Sequence, residues 1–306
     1  MQSFTPTKTA VEARLRASLP PRLPDSHKGS YGNALLYCGS RTYTGAACLA
    51  AMGALRAGAG ITHLLAPEEA LAPVRIRLPE VVCHPIAPLG KEPAALAGAD
   101  RLGGRRGAIL IGCGLGRGTG SEAAAFCEAL LSLLSKPGLP LVLDADALNM
   151  LADHAASPAS FLSQAVRPVI LTPHPTEFSR LSGLPVEEIQ KNRACHATAF
   201  AGQSGCILLL KGHGTVIATP AGEATVNPSG SPALAKGGSG DVLAGVITGL
   251  MAGGMAPAEA ALAGAYLHGL AGERLAARDS AYGLLPSDLP AAIARELCRI
   301  TSDDHN

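Results

Sequence analysis

Ala34-Leu35-Leu36-Tyr37-Cys38-Gly39-Ser40, then a helix-competent stretch from Gly45 to Gly58, then Ile61-Thr62-His63-Leu64-Leu65, is the segment whose reading decides the fold. The first and last runs are short and apolar without polar alternation, as in strands covered on both faces. A helix between two such strands is a βαβ unit, which winds right-handed and makes its strands parallel. The same kind of run returns at Val81-Val82-Cys83, Ala108-Ile109-Leu110-Ile111, Leu141-Val142-Leu143, Val169-Ile170-Leu171 and Ile207-Leu208-Leu209-Leu210, with helical stretches at Ser121 to Leu134, Ala147 to His154 and Val186 to Ala201. The expectation is an α/β fold: a doubly wound, mostly parallel central sheet with helices on both faces. Beyond Lys211, Thr215 to Ala218 and Ala224 to Val226 flank the turn Pro220-Ala221-Gly222-Glu223, a predicted β-hairpin. Helices are expected at Asp241 to Ala252, Pro257 to Ala277 and Pro286 to Leu297. No break in composition divides the chain. Residues 1–306 are expected to form one domain, with 1–25 as a lead-in and 299–306 as a flexible tail.

The chain has 306 residues, 47% apolar, with 36 glycines and a net charge of +1. That balance argues against nucleic acid or an anionic membrane as partner. Tryptophan is absent and aromatics are 3%, which weakens any case for base stacking. Residues 1–23 carry Lys8, Glu12, Arg14 and Arg16 and read as neither secretory signal nor anchor. The eight cysteines form no Cys-x-x-Cys pair and fall mostly in apolar runs, so they read as buried thiols in a reducing cytoplasm.

Chemistry in such sheets collects after the carboxyl ends of strands. Gly39-Ser40-Arg41-Thr42-Tyr43-Thr44-Gly45-Ala46-Ala47 is a small-residue loop opening a helix, either a tight turn or a floor for a flat ligand. Gly112-Cys113-Gly114-Leu115-Gly116 is glycine-rich but lacks the dinucleotide spacing and its distal acid. In Asp144-Ala145-Asp146, two acids either hold Mg²⁺ through water or cap the next helix. Thr172-Pro173-His174-Pro175-Thr176-Glu177 places His174 on a proline-stiffened loop, with Glu177 a first-turn helix acid. Lys211-Gly212-His213-Gly214-Thr215 is suited to phosphate or to the adenine side of a nucleotide. Finally Gly237-Gly238-Ser239-Gly240-Asp241 runs into an apolar helix, so its glycines and helix N-terminus make a seat for phosphate. Asp241 there either caps the helix or takes a proton from a hydroxyl being phosphorylated.

These blocks, in this order from about Ser26 to Pro290, resemble the ADP/ATP-dependent NAD(P)H-hydrate dehydratases of the ribokinase-like superfamily. Asp144-Ala145-Asp146-Ala147-Leu148-Asn149 and Thr172-Pro173-His174-Pro175 are the specific ones, while Gly237-Gly238-x-Gly240-Asp241 is shared with many ribokinase-like kinases. The resemblance implies phosphorylation of the hydrate's ring hydroxyl by ADP or ATP, ADP favoured, followed by loss of phosphate to restore NADH or NADPH. It implies Asp241 as the base on that hydroxyl. It also implies Ala46, Ala47, Gly114 and His174 around the hydrate, and Lys211 to Thr215 with Gly237, Gly238, Ser239 and Gly240 around the nucleotide. Mg²⁺ is expected, with Asp144 and Glu177 as candidate ligands through water. A homotetramer is implied, as is action on the S-hydrate alone with a separate epimerase, since the chain has no room for the epimerase domain of many relatives. Two departures stand out. Cys113 sits where a proline usually does, and Lys236 adds a cation expected beside the phosphates. A vitamin-precursor kinase, for instance for a hydroxymethylpyrimidine, and a non-catalytic nucleotide binder are the competing readings.

Overall fold

A computed structural model describes residues 3–87, 93–118 and 120–302. Nine strands form one sheet: β1 (Asn33–Tyr37), β2 (Ile61–Ala66), β3 (Val81–Pro85), β4 (Gly107–Ile111), β5 (Leu141–Leu143), β6 (Val169–Leu171), β7 (Ile207–Leu210), β8 (Val216–Ala218) and β9 (Ala224–Val226), in the spatial order 3-2-1-4-5-6-7-8-9. The pairs from β3 through β7 are parallel, and β8 and β9 add on antiparallel, the hairpin expected from the sequence. The outer strand β9 is not left bare: Phe4 N–H donates to Ala224 O at 3.2 Å and Val226 N–H to Phe4 O at 2.9 Å.

Thirteen helices cover the sheet among the described residues: α1 (Lys8–Ser18), α2 (Thr44–Arg56), α3 (Glu68–Arg77), α4 (Ala99–Gly103), α5 (Ser121–Leu134), α6 (Asp146–His154), α7 (Pro158–Leu162), α8 (Pro175–Ser182), α9 (Val186–Lys191), α10 (Arg193–Ser204), α11 (Ser239–Ala252), α12 (Pro257–Gly283) and α13 (Leu289–Ser302). Alternate strand residues point to opposite faces, so Leu36, Leu110 and Leu209 join the layer with α2, α11 and α12, while Leu35, Ile109 and Leu208 join the layer with α5, α6 and α10. Both faces are therefore apolar, which is why the strands lacked alternation.

Several boundaries differ from the sequence expectation. The helix predicted over Val186 to Ala201 is two, α9 and α10, broken at Asn192 with φ −147. The lead-in is not loose, because α1 buries Val11 and Leu15 in the main core. Nor does a tail begin at residue 299. The final helix α13 runs to Ser302, buries Ile300 and ties Arg299 to Glu12 of α1. Residues 303–306 of the expected tail lie outside the described residues.

The strand order reverses between β1 and β4, each of which pairs with the other while β2 and β5 lie outward. A crevice opens beyond the carboxyl ends at such a reversal. The loops after β1, β4, β5, β6 and β7 all leave the sheet at that edge. No described helix is long and apolar enough to cross a membrane.

Candidate active site

The loop after β5 sets the geometry. Ala145 lies at φ 48, a left-handed angle that alanine rarely adopts, and it turns the acids on either side of it apart. Asp146 Oδ2 accepts the N–H of Gly116 at 2.9 Å, tying this loop to the glycine-rich loop after β4. Asp144 goes the other way, into the protein, where it is 1% exposed. Neither caps the next helix: Ala145 holds the N-cap position of α6 and no side chain caps it, which removes that reading of the pair. Gly112 is the counterpart of this turn. Its φ is 137, and a Cβ built there would lie 1.8 Å from Asp144 O. Gly112→Ala is therefore expected to lose about 2–5 kcal/mol, from left-handed strain together with overpacking, read by chemical denaturation.

Asp144 has two differently used oxygens. Oδ1 accepts from Thr172 Oγ1 and from Lys211 Nζ, both at 2.8 Å. Oδ2 faces the Cys113 thiol at 3.6 Å. Lys211 also lies 3.8 Å from Glu177 Oε2. Burial opposes the Lys211 charge, but Asp144 and Glu177 outweigh it and hold the ammonium above the ordinary lysine range. Arg193 of α10 braces the strand end from behind, donating to Leu210 O at 2.8 Å and Lys211 O at 3.1 Å.

His174 and Glu177 form a reciprocal cap at the start of α8. The Nδ1 of His174 accepts from the N–H groups of Thr176 and Glu177 at 3.2 and 3.3 Å, and Glu177 Oε2 accepts the His174 N–H at 2.8 Å. Since Nδ1 is an acceptor, the proton of a neutral ring sits on Nε2. Burial, then the Lys211 ammonium, depresses the His174 pKa. The side chain is 47% exposed, and its Nε2 faces Glu177 Oε1 at 3.3 Å. Burial lifts the Glu177 pKa, against the pull of Lys211.

Opposite these groups, Gly238 (φ 101) turns the chain into α11. Early N–H groups of a helix have no partner of their own and carry positive character. Ser239 Oγ is buried there without a hydrogen-bond partner, a polar atom awaiting one. Asp241, in the first turn, points back toward Asp144. Burial, then repulsion from Asp144, pushes its carboxyl up to about 6. Asp144, His174, Glu177, Lys211, Gly212, Gly238, Ser239, Gly240 and Asp241 line one cleft of about 480 Å³.

The sequence-predicted residues divide accordingly. Asp241, His174, Lys211, Gly212, Gly238, Ser239 and Gly240 meet around the cleft with both candidate metal carboxylates. His213, Gly214, Thr215 and Gly237 are in the adjoining turns and not in its lining. Ala46 and Gly114 pack together, a Cβ at Gly114 lying 2.7 Å from that of Ala46. Ala47 is fully buried in the core and offers no surface to a ligand, so its expected place in the hydrate pocket is corrected. Lys236 lines the cleft, but its ammonium donates to Tyr282 O and Leu284 O, both at 2.6 Å. It anchors the end of α12 rather than standing free beside phosphate. Thr172 was quoted in the sequence without a role, and Arg193 had no local signal, being 18 positions from Lys211.

The sequence profile of the family described as NAD(P)H-hydrate dehydratase matches residues 34–295. The chain belongs to the NAD(P)H-hydrate dehydratase family. Within that family it is 39% identical over 285 residues to the ADP-dependent (S)-NAD(P)H-hydrate dehydratase of Bacillus subtilis, covering 93% of this chain and 96% of that one. The bifunctional NAD(P)H-hydrate repair enzyme of Thermofilum pendens is 35% identical over 298 residues, covering 97% of this chain but 56% of the relative. The chain thus spans about half the length of such bifunctional relatives. Among solved structures, the ADP/ATP-dependent dehydratase of Bacillus subtilis co-crystallised with ATP/Mg²⁺ superimposes with a TM-score of 0.81 at 38% identity, covering 94% and 97% of the two chains. A ribokinase-like superfamily protein of Enterococcus faecalis gives 0.79 at 29% identity over 94% of each chain, so the architecture is ribokinase-like.

Proposed function

We propose that the chain restores NADH and NADPH from their S-hydrates, using ADP in preference to ATP, with Asp241 as the general base. One observation carries the assignment: a carboxylate lifted to about 6 stands at the N-terminus of α11, in the cleft and beside a buried lysine. A base poised near neutrality suits proton transfer from an alcohol, and the helix terminus suits the incoming phosphate.

The steps follow from the residues. Asp241 takes the proton of the ring hydroxyl as the hydroxyl oxygen attacks the terminal phosphorus of the nucleotide, and the bond from that phosphorus to its bridging oxygen breaks, releasing AMP from ADP. The N–H groups of Gly240 and Asp241 and the idle Ser239 hydroxyl receive the transferred phosphoryl oxygens. Lys211, held in place by Asp144 and Glu177, supplies the fixed positive charge on the far wall. His174, half exposed on the cleft wall and held by Glu177, would contact the substrate. The ring-nitrogen lone pair then expels phosphate, a far better leaving group than hydroxide, and the neighbouring ring carbon loses a proton to the departing phosphate or to solvent, which restores the double bond. The carboxylates fit Mg²⁺ only partly, because Asp144 Oδ1 and both Glu177 oxygens already have internal partners. Asp144 Oδ2 faces the Cys113 thiol, so an Mg²⁺ ion would take its ligands mainly from the nucleotide and water, and would neutralise phosphate charge.

ADP as donor is supported by the near-full-length relatives of Bacillus subtilis and Neisseria meningitidis, both named ADP-dependent. The eight free thiols suit a cytoplasmic setting. A homotetramer and a separate epimerase complete the reading, on the family resemblance alone.

The test is recovery of reduced-nicotinamide absorbance from S-NADH-hydrate, with Mg²⁺ and ADP or ATP in parallel. Recovery is expected with ADP. Nucleotide consumption with a hydroxymethylpyrimidine and none with hydrate would overturn the reading. In the same assay kcat/KM should rise with pH to a plateau above an apparent pKa of about 6, falling about tenfold for each pH step below it. A profile flat through that window would remove Asp241 as the base.

A further inference from the structure

The thiol of Cys113 takes no part in the proposed chemistry, yet it sits under the base. It is fully buried, with Sγ 3.6 Å from Asp144 Oδ2. One ligand atom from each of Cys113, Asp144 and Asp241 lies within 4.8 Å of the others. Cys38 follows the neighbouring strand β1, and it and burial together push the Cys113 thiol well up. The Asp144 oxygen that Lys211 and Thr172 occupy is Oδ1, so Oδ2 is the one left facing the cluster.

We propose that Cys113, Asp144 and Asp241 form a binding site for a soft divalent cation of the zinc–cadmium class, and that the ion inhibits the enzyme by occupying the base. Three protein ligands with one thiolate suit such an ion, leaving a fourth position for water or for Cys38. Charge also fits: a divalent ion would offset the negative charge that the thiolate and the two carboxylates gather there, Lys211 being shared with Glu177. On binding, the S–H bond breaks, an S–metal bond forms, and the proton passes to solvent with no change of oxidation state. Mg²⁺, which prefers oxygen, does not compete for sulfur. Asp144 and Asp241 line the cleft, so the ion arrives through the same mouth as the substrate.

The metal-binding part is independent of the dehydratase reading and is tested without turnover. Cys195 and Cys298, both exposed, are first replaced by serine so that they cannot report. Cd²⁺ titration of this protein in excess Mg²⁺ should produce a thiolate-to-cadmium ultraviolet band saturating at one equivalent. Cys113→Ser should abolish the band, and Asp144→Asn should weaken Cd²⁺ affinity by at least tenfold, since even an outer partner of a metal site is worth about 10–100-fold. A band that survives in folded Cys113→Ser protein, checked by circular dichroism, overturns the site. If Cys113→Ser does not fold, unchanged affinity in Asp144→Asn overturns it instead. In the hydrate assay, Cd²⁺ should inhibit the parent protein, and Cys113→Ser should need about 100-fold more. Equal inhibition of both, with the band lost only in the variant, keeps the binding site and rejects its inhibitory role.

Discussion

Asp241→Asn is expected to abolish most dehydration while making the protein more stable at neutral pH. Removing a general base costs about 10²–10⁴ in rate, and nucleotide binding, which rests on backbone and Lys211, should persist. Stability moves the other way. The fold raises the Asp241 pKa from 3.8 to about 6, so it prefers the protonated acid. That preference contributes fully below the unfolded value and is lost as pH rises through about 6. At pH 7 the wild-type chain therefore carries a buried charge worth up to about 3 kcal/mol, which asparagine does not. Unfolding at pH 7.5 should show the variant about 1–3 kcal/mol more stable, with the gain vanishing near pH 4. Full turnover in the variant would falsify the base assignment, and no gain in stability would remove the buried-charge account of its pKa.

Lys211→Met should destabilise as strongly as any single change in the cleft. Its ammonium, with the side chain 19% exposed, faces Asp144 at 2.8 Å, whose side chain is 2% exposed. Burying such a pair is a poor source of net stability, but removing one member leaves a desolvated charge and costs about 3–5 kcal/mol. The raised Lys211 pKa adds stability that holds below the ordinary lysine range and is lost only as pH climbs through the raised value, so the loss on substitution spans neutral pH. Adding Asp144→Asn to Lys211→Met should recover a large part of it, a coupling that denaturation of the double variant reads directly. Strictly additive losses would show that the two groups do not act as a pair. Turnover should fall in all three variants, because the positive wall of the cleft is gone or misplaced.

The three-state outline of this chain was legible because burial on both sides of a parallel strand forbids polar alternation. Apolar runs such as Ala108 to Ile111 and Ile207 to Leu210 therefore announce themselves. The break at Asn192 did not, since helix periodicity continues on both sides of it and only the packing of α9 against α8 demands the bend. The C-terminal segment misled for a related reason. Arg299, Thr301 and Ser302 look like a polar tail until α1, 284 positions from Ile300, brings Arg16 and Glu12 alongside it. The candidate cleft was legible where a local rule acts: glycines before a helix mark the turn into α11, and Thr172-Pro173-His174-Pro175 marks the loop into α8. Ala47 shows the limit, because whether a small residue faces ligand or core depends on helix rotation by one position, and here the core took it.

By itself the sequence determined the strands, the doubly wound sheet, and the glycine turn at Gly237 to Gly240 that opens a helix carrying Asp241 in its first turn. These follow from local backbone freedom and from patterns of period two and 3.6, both carried by neighbours in the chain. Only the tertiary structure decided what the charges do. It paired Lys211 with Asp144 across 67 positions, set the Cys113 thiol against the other Asp144 oxygen, and turned Lys236 toward carbonyls. Electrostatics in a buried cleft depend on distances of a few ångströms and on the exclusion of water, and folding alone sets both.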